Sequence, residues 1–351
     1  MDERTAQQLF EEGAFALITD VPEGTEFGID LSSYKTAENF RGVKMIPPGP
    51  HFLFTACQGI YGDSAPRVGY LHYFKSKEIL LFSWNEEKEH LVKLNVSEEE
   101  IQRFRENIKD LDKFLAPYDY SEFSDWRSLT DTVSEDTVNK CNPECGMVQT
   151  SIELESCPDS ERPRGKQVEK KLQNSNEEDL LPNLKPIQGT APRFTEVPPK
   201  VPENCSSSEI SKHSLDCEES VNFLMSSCLL IEEVQLSFAL FLTGHSVESL
   251  AHWRHCLNRL SGSQNSIDKY QDFYLKYLEV LFYQLPLLPE ELMAPNDMNT
   301  VYRDVRELLL NCFSGTLTIG AKKLMLGLEK TMNWRFDLDE DPDDLPVVVE
   351  I

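Results

Sequence analysis

Cys141 and Cys145 lie four positions apart, and His252 and His255 are spaced to share one side of a helix. These are the residues whose types and intervals invite a metal centre. A closed zinc site takes four ligands at matched spacings. The Cys141–Cys145 pair has no second, equally spaced pair, and Cys157 is the nearest further thiol, so all three read as free linker thiols. His252 and His255 flank Trp253-Arg254 without an acidic third ligand nearby in sequence, and read as surface histidines. The signatures of nucleophilic and phosphate chemistry are missing: no G-x-S-x-G elbow, no P-loop, no G-x-G-x-x-G before a helix, no H-E-x-x-H. A Ser-His-Asp set can be assembled from any chain this rich in serines and acids, but nothing selects one. The expectation is recognition without catalysis, cofactor or metal.

The elements that position side chains fall into two kinds. Residues 22–52, PEGTEFGIDLSSYKTAENFRGVKMIPPGPHF, contain two strand-like pieces at 26–30 and 43–46, bracketed by Pro22-Glu23-Gly24 and Pro47-Pro48-Gly49. Glycine and proline there suit tight turns and stop helices. The two pieces read as strands of one small sheet joined by a shaped loop. Further strands are expected at 15–19, 52–56, 68–74, 79–84 and 90–94, where apolar runs or alternation are separated by turn formers. A helix then begins at Ser97, whose spacing to Glu100 makes a capping box, and Ile101, Phe104, Ile108, Leu111 and Leu115 form its apolar stripe. Residues 121–129, with Phe123 and Trp126, read as a short segment packing back on the sheet.

From 139 to 205 the apolar pattern dissolves into Pro, Ser, Asn and Glu, which predicts a linker, disordered in part, with an island at 187–197 that reads as a docking strand. From 206 to 336 the chain reads as about six helices. The clearest places Tyr270, Phe273, Tyr274, Tyr277, Leu278, Leu281 and Phe282 on one wide face. The fold class is therefore α+β: a β-rich N-terminal domain (1–138), a linker (139–205), a helical domain (206–336) and a tail (337–351). Two domains suit a 351-residue chain, at roughly 150 residues each.

The formal charge of −26 argues against a surface that neutralises phosphates, which needs clustered Lys and Arg. A basic face on a protein partner is the better match. Nine cysteines and an acidic start at Met1-Asp2-Glu3 fit reduced thiols in cytosol or nucleus. The most apolar stretch, 221–242, is interrupted by Glu232 and Glu233 and reads as buried helices, not a membrane span. After Trp334-Arg335-Phe336, read as an exposed junction, six carboxylates lie between Asp337 and Asp344, and Val347-Val348-Val349-Glu350-Ile351 follow. Such dense β-branching is strand material, and a lone strand must pair either with this protein's own N-terminal sheet or with a partner's exposed edge. Val347, Val348, Val349 and Glu350 are thus the leading partner-binding residues, with Arg41, Trp334 and Arg335 beside them.

As strings, GTEFGID followed by FRGVKMIPPGPHF resembles the signature of the Aar-two family of splicing factors. FEEGAFALITDVPEGTEFGID, EVQLSFALFLTGHSVESLAHWRHCLNRL and the tail from Trp334 to Glu350 are similar to family segments in the same order. The resemblance implies a β-rich domain followed by a VHS-like superhelical one. It implies a chaperone that assembles the U5 small nuclear ribonucleoprotein particle (U5 snRNP) and acts in both cytoplasm and nucleus. Its implied partner is the large central U5 snRNP protein (the Prp-eight protein), bound at its RNase H-like and MPN-type domains so that the particle's helicase is kept off. It further implies a tail that adds a strand, and release by phosphorylation in some members. No nucleic acid or membrane is expected as a partner, and the chain is expected to be a monomer before complex formation. A generic peptide-binding adaptor and an uncharacterised hydrolase are the competing readings.

Overall fold

The segment Ala14–Thr19 (β1) reads AFALIT, apolar up to its final threonine, as a strand covered on both faces does. The computed structural model, which describes residues 3–59, 63–161, 183–201, 216–315 and 317–336, places it at the centre of a sheet. β1 pairs antiparallel with β4 (Gly42–Ile46) and parallel with β7 (Ile79–Asn85); β8 (His90–Lys93) and β9 (Ala116–Pro117) lie at the edges. A second, antiparallel sheet has the order β10 (Val148–Gln149), β6 (Val68–Phe74), β5 (Gly49–Ala56), β2 (Glu26–Ile29) and β3 (Ser32–Lys35). β11 (Leu154–Ser156) and β12 (Leu184–Pro186) pair separately.

The two large sheets share one core. Ala14, Ala16, Ile18, Leu80 and Phe82 from the first meet Phe27, Ile29, Leu53, Tyr70 and Phe74 from the second. The alternate residues of the first sheet, Phe15, Leu17, Ile79 and Leu81, turn outward. There they pack with Ile101, Phe104, Ile108 and Leu111 of helix α2 (Glu98–Leu111) and with Phe10 of α1 (Glu3–Glu12). α2 starts at the expected capping box: Ser97 accepts from the Glu100 amide while the Glu100 carboxylate accepts from the Ser97 amide. Gly42 has a φ of 122°, and a Cβ there would run into the Ala16 carbonyl oxygen of the neighbouring strand. Only glycine permits that approach.

One expectation is corrected here. Residues 26–30 and 43–46 do not share a sheet: β2 belongs to the second and β4 to the first. The partner of β2 next in sequence is β3, joined by a tight turn in which Asp30 takes φ 56°.

The chain divides into two compact units, one built from the described residues of Met1–Phe123, Ser134–Phe194 and Thr243–Ser249, the other from those of Ser124–Val133, Thr195–Leu242 and Leu250–Ile351. The expected boundaries at 138 and 205 are therefore crossed in both directions. Within the first unit, the expected linker is in part ordered. Arg193 donates to the carbonyls of Asn142 (2.6 Å) and Asn139 (2.9 Å), its amide bonds the Cys141 carbonyl, and the Cys145 amide bonds Gly189. Helix α4 (Glu135–Cys141) extends into this region, and the island at 187–197 forms no strand. Order held by one guanidinium and scattered backbone bonds leaves no apolar period to read.

Phe123, the first residue of α3 (Phe123–Thr130), packs against the core of the two sheets as expected, while the rest of the helix belongs to the second unit, where Trp126 is buried. The described helices of the second unit continue with α5 (Glu218–Leu224), α6 (Leu230–Gly244), α7 (Val247–Ser261), α8 (Gln264–Lys269), α9 (Gln271–Gln284), α10 (Thr300–Phe313) and α11 (Thr318–Met332). The aromatic face of α9 is buried at Tyr274, Tyr277, Leu278 and Leu281, beside Trp253 and Phe238 in the same core. No helix among the described residues is long and apolar enough to cross a membrane.

Candidate functional site

Two buried polar centres carry the residue types of acid–base catalysis, and both are bound to their own backbone. In the first unit Asp30 and His51 are each almost wholly buried. The Asp30 carboxylate accepts from His51 Nδ1 (2.6 Å), Tyr118 Oη (2.7 Å) and the Phe52 amide (2.9 Å). The other imidazole nitrogen, Nε2, lies 2.8 Å from the Pro47 carbonyl, which can only accept. Both ring nitrogens are thus engaged, Nδ1 by the Asp30 carboxyl group and Nε2 by the Pro47 carbonyl. A ring held this way has no free nitrogen to take a proton from a nucleophile. Burial and the neighbouring Asp30 charge push the Tyr118 phenol far above its usual range, so it remains a donor. The FGID and PPGPHF motifs thus build a clip between strands.

In the second unit Glu233 of α6 is fully buried. Its carboxylate accepts from the Thr195 amide and hydroxyl, both at 2.8 Å, and fixes that irregular segment to the helix. His252 Nε2 lies 3.8 Å from Glu233 and 3.5 Å from Cys256 Sγ. This corrects the reading of His252 as a surface residue, since it is 8% exposed with an acid beside it. Burial pushes the Cys256 thiol far up, the reverse of what a nucleophile needs. Among the described residues no group of three or more His, Cys, Asp and Glu is arranged to hold a metal ion. Cys141 is buried and Cys145 exposed.

Two clefts of the first unit carry ionisable side chains in their linings. One, of about 510 Å³, is lined in part by His72, His90 and Cys145. His72 bonds Glu78, His90 bonds the Leu91 carbonyl, and the Cys145 thiol donates to the Met147 carbonyl, so no thiol–imidazole pair forms there. The other, of about 480 Å³, has Phe10, Phe15, Ile79 and Ile108 in its lining with Lys77, Arg105 and Lys109, and offers no hydroxyl or thiol side chain.

The partner-binding residues expected from sequence are distributed differently. Arg41 is half-buried; its backbone bonds Ile18 and the Phe114 carbonyl, and its side chain makes no ion pair among the described residues. Its neighbour Phe40 packs on Phe27 and Tyr34. Trp334 is corrected: it is 0% exposed, not an exposed contact. Its indole Nε1 donates to the Met293 carbonyl (2.7 Å), and its ring stands edge-on to Tyr302. The Tyr302 hydroxyl donates to the Arg335 carbonyl, and Phe336 stacks on the Tyr302 ring. Arg335 does project outward, at 78% exposure, 3.5 Å from Glu329. Val347, Val348, Val349 and Glu350 lie outside the described residues.

Sequence reasoning missed Asp30, His51, Tyr118 and Glu233. For Glu233 a signal existed, because an acid inside an apolar helix must find donors once buried. For Asp30 and His51 the only cue was membership of the signature block.

The chain is thus an α+β protein whose two buried acid–base centres are engaged by its own residues. The family description "AAR2 N-terminal domain" matches residues 12–143, and "AAR2 C-terminal repeat region" matches 194–337. The chain is 32% identical over 377 aligned residues to Protein AAR2 homolog of Mus musculus, covering 100% of this chain and 97% of the relative. The Homo sapiens Protein AAR2 homolog matches to the same extent. The Caenorhabditis elegans homolog is 31% identical over 297 residues, 81% of each chain. The chain belongs to the AAR2 family. Membership makes it a splicing-related protein and not an enzyme.

Proposed function

We propose that the chain is a non-enzymatic assembly factor of the U5 snRNP, working in cytoplasm and nucleus. It binds the RNase H-like and MPN-type domains of the large central spliceosomal protein (Prp-eight) and delays helicase binding during assembly. The observation that carries this reading is the extent of the family match, which takes in both units and runs to residue 337. The charge of −26 supports a basic protein partner over RNA. Val347, Val348 and Val349 add a strand to the partner, with Glu350 at its edge and Arg41 and Arg335 as flanking contacts. Trp334 contributes by fixing the point from which the tail leaves. The chain is monomeric until it meets this partner.

A pull-down from cell extract tests the reading. Full-length protein is expected to recover the large U5 protein without its helicase, and a chain stopped at Phe336 is expected to lose it. Recovery of the helicase with the full-length chain, or of neither protein, contradicts the proposal.

A further inference from the structure

The outer face of α11 is basic and apolar on a protein that is otherwise acidic. Ile319 is 87% exposed and Leu326 60% exposed. Lys322, Lys323 and Lys330 are exposed with them. At about 100° per residue these five positions fall within an arc of about 100°. The opposite side of the helix buries Ala321, Leu324 and Leu328. None of the three lysines makes an ion pair among the described residues; Lys323 lies 5.8 Å from the Phe282 ring centre. The one acid of this helix, Glu329, is taken by Arg335. Two large aliphatic side chains framed by three unpaired cations form a surface suited to an occupant that is acidic and aliphatic in turn.

The chain carries such a segment immediately downstream. α11 ends at Met332, Asn333 caps it with φ 55°, and Trp334 and Phe336 are held against Tyr302. The next fifteen residues, 337–351, hold six carboxylates from Asp337 to Asp344 and then Leu345, Val347, Val348, Val349 and Ile351. Fifteen residues reach up to about 50 Å when extended, against about 22 Å for the whole of α11. The order also fits. The carboxylates come first, nearest Lys330, and the aliphatic residues come last, where Ile319 stands.

We infer that residues 337–351 dock in cis along the outer face of α11, with the acidic run passing over Leu326 on Lys330, Lys323 and Lys322 and the aliphatic end on Ile319. The docked tail is an autoinhibitory contact: it withholds the strand until a partner edge competes for it. This consequence rests on the proposed role of the tail as the partner-binding strand.

Zero-length carbodiimide cross-linking of the full-length chain, read by mass spectrometry, tests the docking. The expected result is amide links from Lys322, Lys323 or Lys330 to carboxylates of 337–344, formed within one chain when heavy and light protein are mixed. Links confined to other lysines, or formed between chains, overturn it. The K322E/K323E/K330E variant, altered only at exposed positions, is then titrated against the purified RNase H-like and MPN-type fragment. Release of the tail predicts binding tighter by about three- to tenfold, the scale of three surface ion pairs. Weaker binding makes α11 a partner contact itself and overturns the autoinhibition. If the cis links form while truncation at Phe336 leaves fragment affinity unchanged, the docking stands and the strand-addition reading fails.

Discussion

Asp30 in the first unit and Glu233 in the second are both buried carboxylates, yet they stabilise different kinds of structure. Asp30 gathers donors from β5 and from Tyr118 just beyond β9, so one carboxylate ties a strand of one sheet to the edge of the other. The nearest of these donors is the His51 ring, at 2.6 Å. Glu233 instead holds a segment without regular secondary structure, taking both polar hydrogens of Thr195, while His252 stands off at 3.8 Å. The contrast teaches that the same residue type serves as a lock between finished sheets in one place and replaces a missing ladder in the other. Neither arrangement leaves a group poised for chemistry.

Removing each carboxylate sharpens the contrast. Asp30→Ala removes the acceptor shared by His51, Tyr118 and the Phe52 amide, and is expected to cost about 3–5 kcal/mol at about 1–3 kcal/mol for each buried group, measured by urea unfolding. A loss below about 1 kcal/mol would show that this clip does not hold the strands together. Glu233→Ala leaves the Thr195 amide and hydroxyl without their partner, an expected loss of about 1–3 kcal/mol. Its effect is local: hydrogen exchange should accelerate around residues 195–200 and leave the amides of β5 unchanged. Acceleration throughout the sheets would erase the distinction drawn between the two centres.

A smaller effect is expected at the exit of the tail. Trp334→Phe keeps most of the ring but loses the bond to the Met293 carbonyl, costing about 1 kcal/mol in thermal or urea unfolding. The smallest concerns His245, which has φ 55° in the turn after α6. Partial burial first, and Arg67 second, hold its pKa below the ordinary histidine value. A histidine depressed in the folded state contributes stability above its unfolded pKa, about 6.5, and loses it as the pH falls toward the folded value. His245→Asn, which tolerates the same backbone, should flatten the acid side of the stability–pH curve below about 6.5. An unchanged slope would assign that acid sensitivity to other groups.

Much of the local structure was legible in the chain. β1, β6 and β7 announce themselves by apolar runs, α2 by Ser97 and Glu100, and α9 by its aromatic face, because each of these signals lies within one element. Pairings were not legible. β2 and β4 have only the short β3 between them in sequence, yet they enter different sheets, since strand partners are chosen by a core assembled from distant segments. The order around Arg193 and Thr195 was also hidden, because it depends on hydrogen bonds to distant backbone and not on a hydrophobic period. Of the expected binding residues, Arg335 stands exposed, whereas Trp334 is core: a tryptophan after a helix reads the same whether it faces a partner or Tyr302.

The central claim is that this family member works by binding, and that the binding lies in its last residues. The most direct test is calorimetric titration of the full-length chain, and of a chain ending at Phe336, against the purified RNase H-like and MPN-type fragment with the helicase as competitor. Full-length protein is expected to bind and exclude the helicase, and the shortened chain, still folded, to lose at least tenfold in affinity and the exclusion with it. Equal affinity and equal exclusion by both chains would contradict the claim.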